Sequence, residues 1–101
     1  MNVRFDHLAK VLLLLYDNER RGERPFLVSE LADKARISRS VFFMRLKKKL
    51  EDAGLVEFRV NPDRTVTVHL TVKGRRLAEC LKQCEDILRE VGVIGNEGRK
   101  G

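Results

Sequence analysis

Basic side chains are concentrated in the middle of the chain, where together they could bind a polyanion. Residues 36–76 carry eleven arginines and lysines against four acidic residues, a formal charge of +7, whereas residues 1–35 are neutral and residues 77–101 carry −1. Guanidinium and ammonium groups bind phosphates, and a guanidinium can also make two hydrogen bonds to guanine. A localised basic zone therefore indicates either a nucleic-acid partner or a solvated basic face.

Few other residues have the types or spacing that chemistry requires. Neither His7 nor His69 has a carboxylate or cysteine partner placed for catalysis or metal binding. Cys80 and Cys84 lie four residues apart on the inner side of a predicted helix, and zinc sites usually need four ligands. We expect both cysteines to pack as small apolar residues, with a redox or intermolecular disulfide role as the alternative. Because paired carboxylates and a phosphate-cradling glycine loop are also missing, the sequence predicts no enzyme, no cofactor and no metal site.

The basic zone opens with a predicted helix that stops at a glycine and feeds a strand. Ser38 is a good N-cap, and Gly54 can adopt the left-handed conformation that closes a helix. At helical spacing the two sides of this helix differ, so one side is predicted to meet the core and the other to face outward. The predicted inner residues are Phe42, Phe43, Leu46, Leu50 and Ala53, and the predicted outer residues are Val41, Met44, Arg45 and Lys48.

Two helices are predicted before this one. Helix 1 runs from Phe5 to about Asp17 and is apolar nearly all round. Leu13 and Leu14 lie outside its main apolar face, so we expect them to meet a partner subunit. A charged loop and a short strand candidate, Phe26-Leu27-Val28, follow, and Ser29 is then predicted to cap a short second helix that ends at Ala35. Two helices joined by the tight turn Arg36-Ile37 predict a helix-turn-helix.

A hairpin is predicted after the basic helix. Apolar and polar residues alternate over residues 55–60 and again over residues 65–70. Opposed residues share a face of a sheet, so pairing Val60 with Val66 keeps the apolar side chains on one side. This register implies a loop centred on Pro62-Asp63-Arg64. Arg64 is then at the tip, free to reach a phosphate or the minor groove.

The last predicted helix, capped by Thr71 and running to about Val91, carries apolar residues at heptad spacing. Its length and broad apolar stripe favour a dimer helix. With the two leucines of helix 1, the predicted dimer interface is Leu13, Leu14, Leu77, Cys80, Leu81, Cys84, Ile87, Leu88 and Val91. The length of 101 residues is typical of one domain, which we place at residues 1–91, and the glycine-rich residues 92–101 are predicted to form a flexible tail. We expect a cytoplasmic protein, because no apolar run is long enough for a membrane span or a signal peptide.

The order helix, short strand, helix, turn, helix, two-stranded wing, helix resembles a winged helix-turn-helix. The stretches that carry the resemblance are VSELADKARISRS, LKKKLEDAGLV and LTVKGRRLAECL, and the last is similar to the opening of the final helix in MarR-like and PadR-like regulators. In size the chain is closer to small archaeal winged-helix proteins with a C-terminal dimerisation helix. The run from Ser38 to Leu50 is one residue longer than usual and places Lys47 where those families have an apolar residue.

The resemblance implies an α+β, mostly helical protein that binds DNA as a homodimer, with its third helix in the major groove and its wing on the flanking backbone or minor groove. Carried over by position, the DNA contacts are Ser38, Arg39, Ser40, Val41, Met44, Arg45, Lys48, Arg59 and Arg64. Arg45 would read a base or bind a phosphate, and Lys47, Lys48 and Lys49 would bind phosphates. A sequence-specific transcriptional regulator is the first hypothesis. The alternatives are a nucleoid protein with little sequence preference and a winged helix that binds another protein.

Overall fold

The computed structural model describes residues 3–95, which form four helices and one two-stranded antiparallel sheet. The helices are α1 (Phe5–Arg20), α2 (Val28–Ala35), α3 (three consecutive segments, Arg39–Val41, Phe42–Leu46 and Lys47–Asp52) and α4 (Val72–Glu90). The strands β1 (Val56–Val60) and β2 (Val66–Leu70) form the wing with the loop between them. The predicted fold class, a mostly helical winged helix-turn-helix, is confirmed. No helix within residues 3–95 is long and apolar enough to cross a membrane.

One apolar core joins all of these elements, with α1 packed against α2, α4 and β2. Burial of this surface is the main favourable contribution to folding, so the core holds α3 and the wing in fixed positions on one body. The buried apolar residues are Val11, Leu12, Leu15, Tyr16, Val28, Leu31, Ala32, Ala35, Ile37, Phe42, Leu46, Leu50, Leu55, Val56, Val68, Leu70 and Ala78.

Helix α1 begins at Phe5, as predicted, but continues to Arg20, three residues beyond the predicted end. Its first residue, Phe5, is 69% exposed. Asn18 is buried near the end of the helix, and its Nδ2 donates a hydrogen bond to the carbonyl oxygen of Arg24 at 2.9 Å. A buried amide needs a hydrogen-bond partner, and the Arg24 carbonyl oxygen provides it. The bond thereby joins the charged loop to the end of α1.

The predicted strand at residues 26–28 is wrong, because α2 already begins at Val28. What remains of a third strand is one bridge, between Leu27 and Thr67 of β2. The predicted cap is wrong as well: Ser29 lies inside the helix, and the Leu27 N–H instead donates to Oε1 of Glu30 at 3.0 Å. The Glu30 carboxylate accepts a hydrogen bond from a backbone N–H that has no partner within the helix, and its negative charge interacts favourably with the positive end of the helix dipole. Both effects explain why the helix starts early.

The turn between α2 and α3 and the start of α3 agree with the sequence. Arg36 ends α2 in the left-handed conformation, with φ of +58°. Ser38 caps α3, because its Oγ accepts a hydrogen bond from the N–H of Val41 at 3.1 Å. The helix-turn-helix is therefore set by local backbone chemistry on both sides of the turn.

Helix α3 is not α-helical throughout, since Phe42–Leu46 form a π-helical turn. The N–H of Lys47 donates to the carbonyl oxygen of Phe42, five residues back instead of four. The turn places Phe42, Leu46 and Leu50 in one fully buried row. The prediction that Phe43 and Ala53 also face the core is wrong: Phe43 is 42% exposed, and Ala53 is exposed as well. The π turn accommodates one extra residue, which fits the unusual length of this run.

The wing has the predicted register, with Val60 opposite Val66 and Val56 opposite Leu70. At its tip the Asn61 N–H donates to the carbonyl oxygen of Thr65 at 2.8 Å, and Arg64 has a left-handed φ of +71°. The alternating apolar pattern specified this register because a slip of one residue would turn every side chain to the opposite face.

Helix α4 starts where Thr71 joins it to the end of α3. The Thr71 hydroxyl accepts a hydrogen bond from the Gly74 N–H at 3.0 Å and donates one to the Gly54 carbonyl oxygen at 2.6 Å. Gly74 packs directly against the Leu55 backbone, and an added Cβ would overlap the Leu55 carbonyl oxygen. The start of α4 is thus a close backbone contact that only glycine permits.

The end of α4 differs from the prediction of a tail that begins at Gly92. Gly92 has a left-handed φ of +79°, and the Val93 N–H donates to the Leu88 carbonyl oxygen at 2.9 Å. This is a Schellman cap, which closes the helix in an ordered way. Residues 92–95 therefore belong to the helix terminus, and the remainder of the predicted tail, residues 96–101, lies outside the described residues.

Candidate nucleic-acid interface

Ser40, Met44 and Lys48 form a row on the exposed side of α3, which we call the outer row. Side chains four residues apart lie on the same face of a helix, and the Ser40 Oγ is 3.8 Å from the Met44 Sδ. All three residues are exposed, and Met44 is 79% exposed. The row thus offers a hydroxyl, a flexible apolar group and a cation, which can contact base edges, thymine methyl groups and phosphates.

Arg45 lies at the edge of α3 that faces the start of α1. It lines a groove of about 160 Å³ with Val3, Arg4, His7, Val41 and Leu46. Val41 is half-buried and packs against the core, so it has less free surface than the outer row. Arg4 is held by Asp6, with 2.7 Å between the guanidinium and the carboxylate. Arg45 therefore lies beside the start of α1, a neighbour that the sequence did not predict.

Three of the predicted basic contacts are already paired with carboxylates. Arg39 binds Asp33 at 2.9 Å, and hydrogen bonding to Arg39 holds the pKa of the Asp33 carboxyl below its usual value. Lys48 lies 3.3 Å from Asp52 on the same helix. Such exposed pairs contribute little to stability, so phosphates can replace the carboxylates at small cost.

The wing supplies the third pair and the remaining predicted contacts. Arg59 binds its neighbour Glu57 at 2.8 Å. Arg64 is exposed at the tip beside Asp63, whose pKa is lowered by hydrogen bonds from the side chain and backbone of Thr65. An ionised Asp63 holds the tip loop closed, because its Oδ1 accepts hydrogen bonds from both the N–H and the hydroxyl of Thr65. Arg64 thereby projects from an ordered turn, a suitable position for a phosphate contact.

Lys47 connects α3 to the wing. Its Nζ lies 4.4 Å from the centre of the Phe58 ring, a cation–π contact between α3 and β1. The prediction that Lys47 binds a phosphate therefore competes with a packing role. The Lys47 side chain is accordingly half-buried against β1.

The structure divides the predicted dimer residues into two groups. Leu88 is half-buried, and Leu14 and Leu81 are half-buried and pack against the core of their own chain. Leu13 is half-buried on α1. The remaining residues form one stripe along α4, exposed except at Leu77, which is half-buried against the core; we call this stripe the seam: Leu77, Cys80, Cys84, Ile87 and Val91.

The sequence did not predict that Phe43 would be exposed on α3, nor that Arg4 and His7 would lie beside Arg45. Phe43 became exposed through the π turn, and its ring packs edge-on against Phe42 with 5.3 Å between the ring centres. The extra residue between Ser38 and Leu50 was the available signal for this turn. Arg4 and His7 gave no signal, because only the fold brings the start of α1 beside Arg45.

Comparisons with known proteins agree with this architecture. The profile of a family described as "ArnR1-like, winged-helix domain" matches residues 1–88. A comparison with curated proteins gives no match. Among solved structures, the chain is similar to AF1382 from Archaeoglobus fulgidus, with 26% identity, a TM-score of 0.73 and coverage of 85% of this chain and 91% of that one.

Two further similar structures are longer proteins. SPO1453, a MarR family transcriptional regulator from Silicibacter pomeroyi DSS-3, has 26% identity and a TM-score of 0.66, with 93% of this chain and 66% of that one covered. CouR, a transcriptional repressor solved with a 23-mer DNA duplex, has 28% identity and a TM-score of 0.64, with 83% of this chain and 60% of that one covered. This chain therefore spans about two thirds or less of each of the two.

Proposed function

Because the chain belongs to the ArnR1-like winged-helix domain family, we propose that it is a transcriptional regulator that binds double-stranded DNA as a homodimer. The observation that carries the proposal is the outer row of Ser40, Met44 and Lys48, exposed on α3 beside Arg45. The major groove of B-DNA admits one α-helix, and these side chains suit its edges and phosphates. CouR, which is 28% identical to this chain, was solved bound to a DNA duplex.

Each predicted contact has a role that fits its surroundings. Ser38 and Arg39 lie at the start of α3, where the Ser38 hydroxyl already caps the helix, so phosphate contacts suit both. Arg59 and Arg64 of the wing would bind the flanking backbone, with Arg64 also able to enter the minor groove. Ser40, Met44 and Arg45 would then determine which DNA sequence is preferred. Val41 is half-buried, so only the exposed part of its side chain could contact DNA.

The seam on α4 supports the proposed homodimer. Ile87 is 57% exposed and Val91 is 64% exposed, which leaves large apolar side chains in water. A second copy that covers them would remove this surface from water and bring two α3 helices to one duplex. Two half-sites about 34–36 Å apart, one helical turn, are the usual target of such a dimer.

Replacement of Lys48 by alanine is expected to weaken binding to all DNA sequences by a similar factor. Because each copy of the proposed dimer loses one phosphate contact, the slope of log K against log [salt] should fall by about two units. The measurement is fluorescence anisotropy with one duplex at several salt concentrations. Lys82→Ala is the matched control, because Lys82 lies on α4 near Asp17 and Glu85 and carries the same charge. An unchanged slope for Lys48→Ala would show that Lys48 does not touch a phosphate.

Replacement of Arg45 by alanine is expected to cost about 1–3 kcal/mol on the preferred duplex and to relax base preference at one position of each half-site. Arg45→Lys keeps the charge but loses the forked pair of donors, so it should restore non-specific affinity without restoring the preference. Competition between the preferred duplex and its single-base variants measures both effects. If Arg45→Ala lost affinity equally on every duplex and Arg45→Lys restored it equally, Arg45 would be a phosphate contact.

A further inference from the structure

The seam on α4 has the spacing of a coiled-coil interface. Leu77, Cys80, Cys84, Ile87 and Val91 follow one another at intervals of three, four, three and four residues. This is the a/d repeat of two-stranded coiled coils. Cys80, Cys84, Ile87 and Val91 are exposed in the described chain, and Leu77 is half-buried where it meets the core. The two cysteines occupy two adjacent layers in the middle of the seam.

The charges beside the seam favour a second copy in antiparallel orientation. Arg76 and Glu90 are both exposed, and each lies directly before a seam residue, at opposite ends of the stripe. In an antiparallel pair, Arg76 of each copy would lie opposite Glu90 of the other copy. The neutral Gln83 of each copy would lie midway between these two charge pairs. A parallel pair would place equal charges at the same end. Opposed charges therefore select one orientation and one register for the two helices.

In that register Cys80 of one copy lies in the same layer as Cys84 of the other. Because Cys80 and Cys84 are also one turn apart on each helix, four thiols converge where the two-fold axis crosses the seam. We propose that these four thiols form a binding site for a thiophilic, tetrahedral metal ion of the Zn²⁺ class. The site rests on the proposed homodimer, because each copy supplies half of it. A single chain accordingly has no group of three or more metal-binding side chains within residues 3–95.

Both cysteines are exposed in the single chain, and the proposed dimer would bring their thiols together inside the seam. Four thiolates with no other ligand form a closed tetrahedral zinc site, the type that stabilises structure and leaves no open position for catalysis. Binding would release thiol protons and would occur only in the dimer, so the metal would link protein association to metal supply.

The test is titration of the full-length, reduced, metal-free protein with Co²⁺ under anaerobic conditions, with the association state followed by sedimentation equilibrium. We expect one Co²⁺ per two chains, the intense visible absorption of tetrahedral cobalt thiolate, and its loss when Zn²⁺ is added. Zn²⁺ should also tighten the dimer by about tenfold or more. Cys80→Ser and Cys84→Ser should each abolish the spectrum, while Gln83→Ser, the matched control between them, should retain it.

Several results would overturn the proposal, and they separate its two parts. A dimer that binds no Co²⁺ would refute the metal site and leave the proposed homodimer intact. A chain that is monomeric with and without metal would refute both. A cobalt spectrum that survives in the Cys80→Ser, Cys84→Ser double variant would place the metal elsewhere. A disulfide between Cys80 and Cys84 of different copies, formed on oxidation while the reduced dimer ignores Co²⁺, would support the register but refute the metal site.

Discussion

Gly74→Ala is expected to unfold the protein under conditions in which the parent chain is folded. The new Cβ would overlap the carbonyl oxygen of Leu55 and lie 2.9 Å from its carbonyl carbon. Both are backbone atoms, so no side-chain rotation relieves the clash. Relief would require α4 to move away from Leu55, which would break the hydrogen bonds of Thr71 to Gly54 and Gly74. Overpacking commonly costs about 1–3 kcal/mol, and we expect a value at or above the upper end.

The measurement is urea or thermal denaturation followed by far-ultraviolet circular dichroism. Gly95→Ala is the matched control, because a Cβ added there meets nothing within 4 Å. A loss of about 3 kcal/mol is a large part of the 5–15 kcal/mol that stabilises most domains. If Gly74→Ala were as stable as Gly95→Ala, the close contact between α4 and Leu55 would not exist in solution.

Ile87→Asp is expected to separate the dimer and, with it, to weaken binding to a duplex with two half-sites by about 100-fold or more. Specific sites are commonly bound about 10³–10⁷-fold more tightly than non-specific DNA, and a monomer loses the contribution of one half-site. Ile87 is 57% exposed in the single chain, so aspartate there should not disturb the fold. Leu81 would be a poorer choice for this experiment, because it packs against the core of its own chain.

Sedimentation and anisotropy together measure this prediction, with duplexes that carry one or two half-sites. Val72→Asp is the matched control, because Val72 is 70% exposed on the same helix but lies outside the seam. We expect Ile87→Asp to be monomeric and to bind one half-site as the parent domain does. A variant that stays dimeric would show that α4 does not form the interface.

The parts of the fold that the sequence predicted correctly are those set by local pattern. The pairing of Val60 with Val66 followed from alternation alone, because one register keeps the apolar face intact. The caps at Ser38 and Thr71 followed from hydroxyl chemistry at the starts of helices. In each case residues close in sequence, or one hairpin apart, decide the outcome.

The rotation of α3 could not be predicted in this way. Helical spacing of 100° per residue placed Phe43 and Ala53 with Phe42 on the inner side, but that spacing assumes bonds between residues four apart. One bond of the π type, from Lys47 to Phe42, changes the spacing and moves Phe43 outward. Whether α3 forms a regular α-helix or the π turn depends on how the core packs around Phe42, Leu46 and Leu50. The sequence pattern does not contain this packing information.

The cysteines were misplaced for a related reason. Helix α4 carries two apolar stripes, and heptad spacing does not say which one meets the core of its own domain. The structure packs Leu81 against that core and leaves Cys80 and Cys84 exposed. Only the packing of α4 against α1 separates the two stripes. The predicted DNA contacts on α3 were carried over by position from a resemblance. Which of these side chains face outward depends on the same π turn.

The most direct test of the proposed function is selection from a pool of random duplexes at two salt concentrations, followed by sequencing of the bound fraction. We expect enrichment of an inverted repeat whose half-sites lie about one helical turn apart, and weaker binding at the higher salt concentration. Salt-dependent binding without an enriched sequence would contradict the sequence-specific regulator and indicate a DNA-coating protein. Absence of binding at both salt concentrations would contradict DNA recognition by α3 altogether.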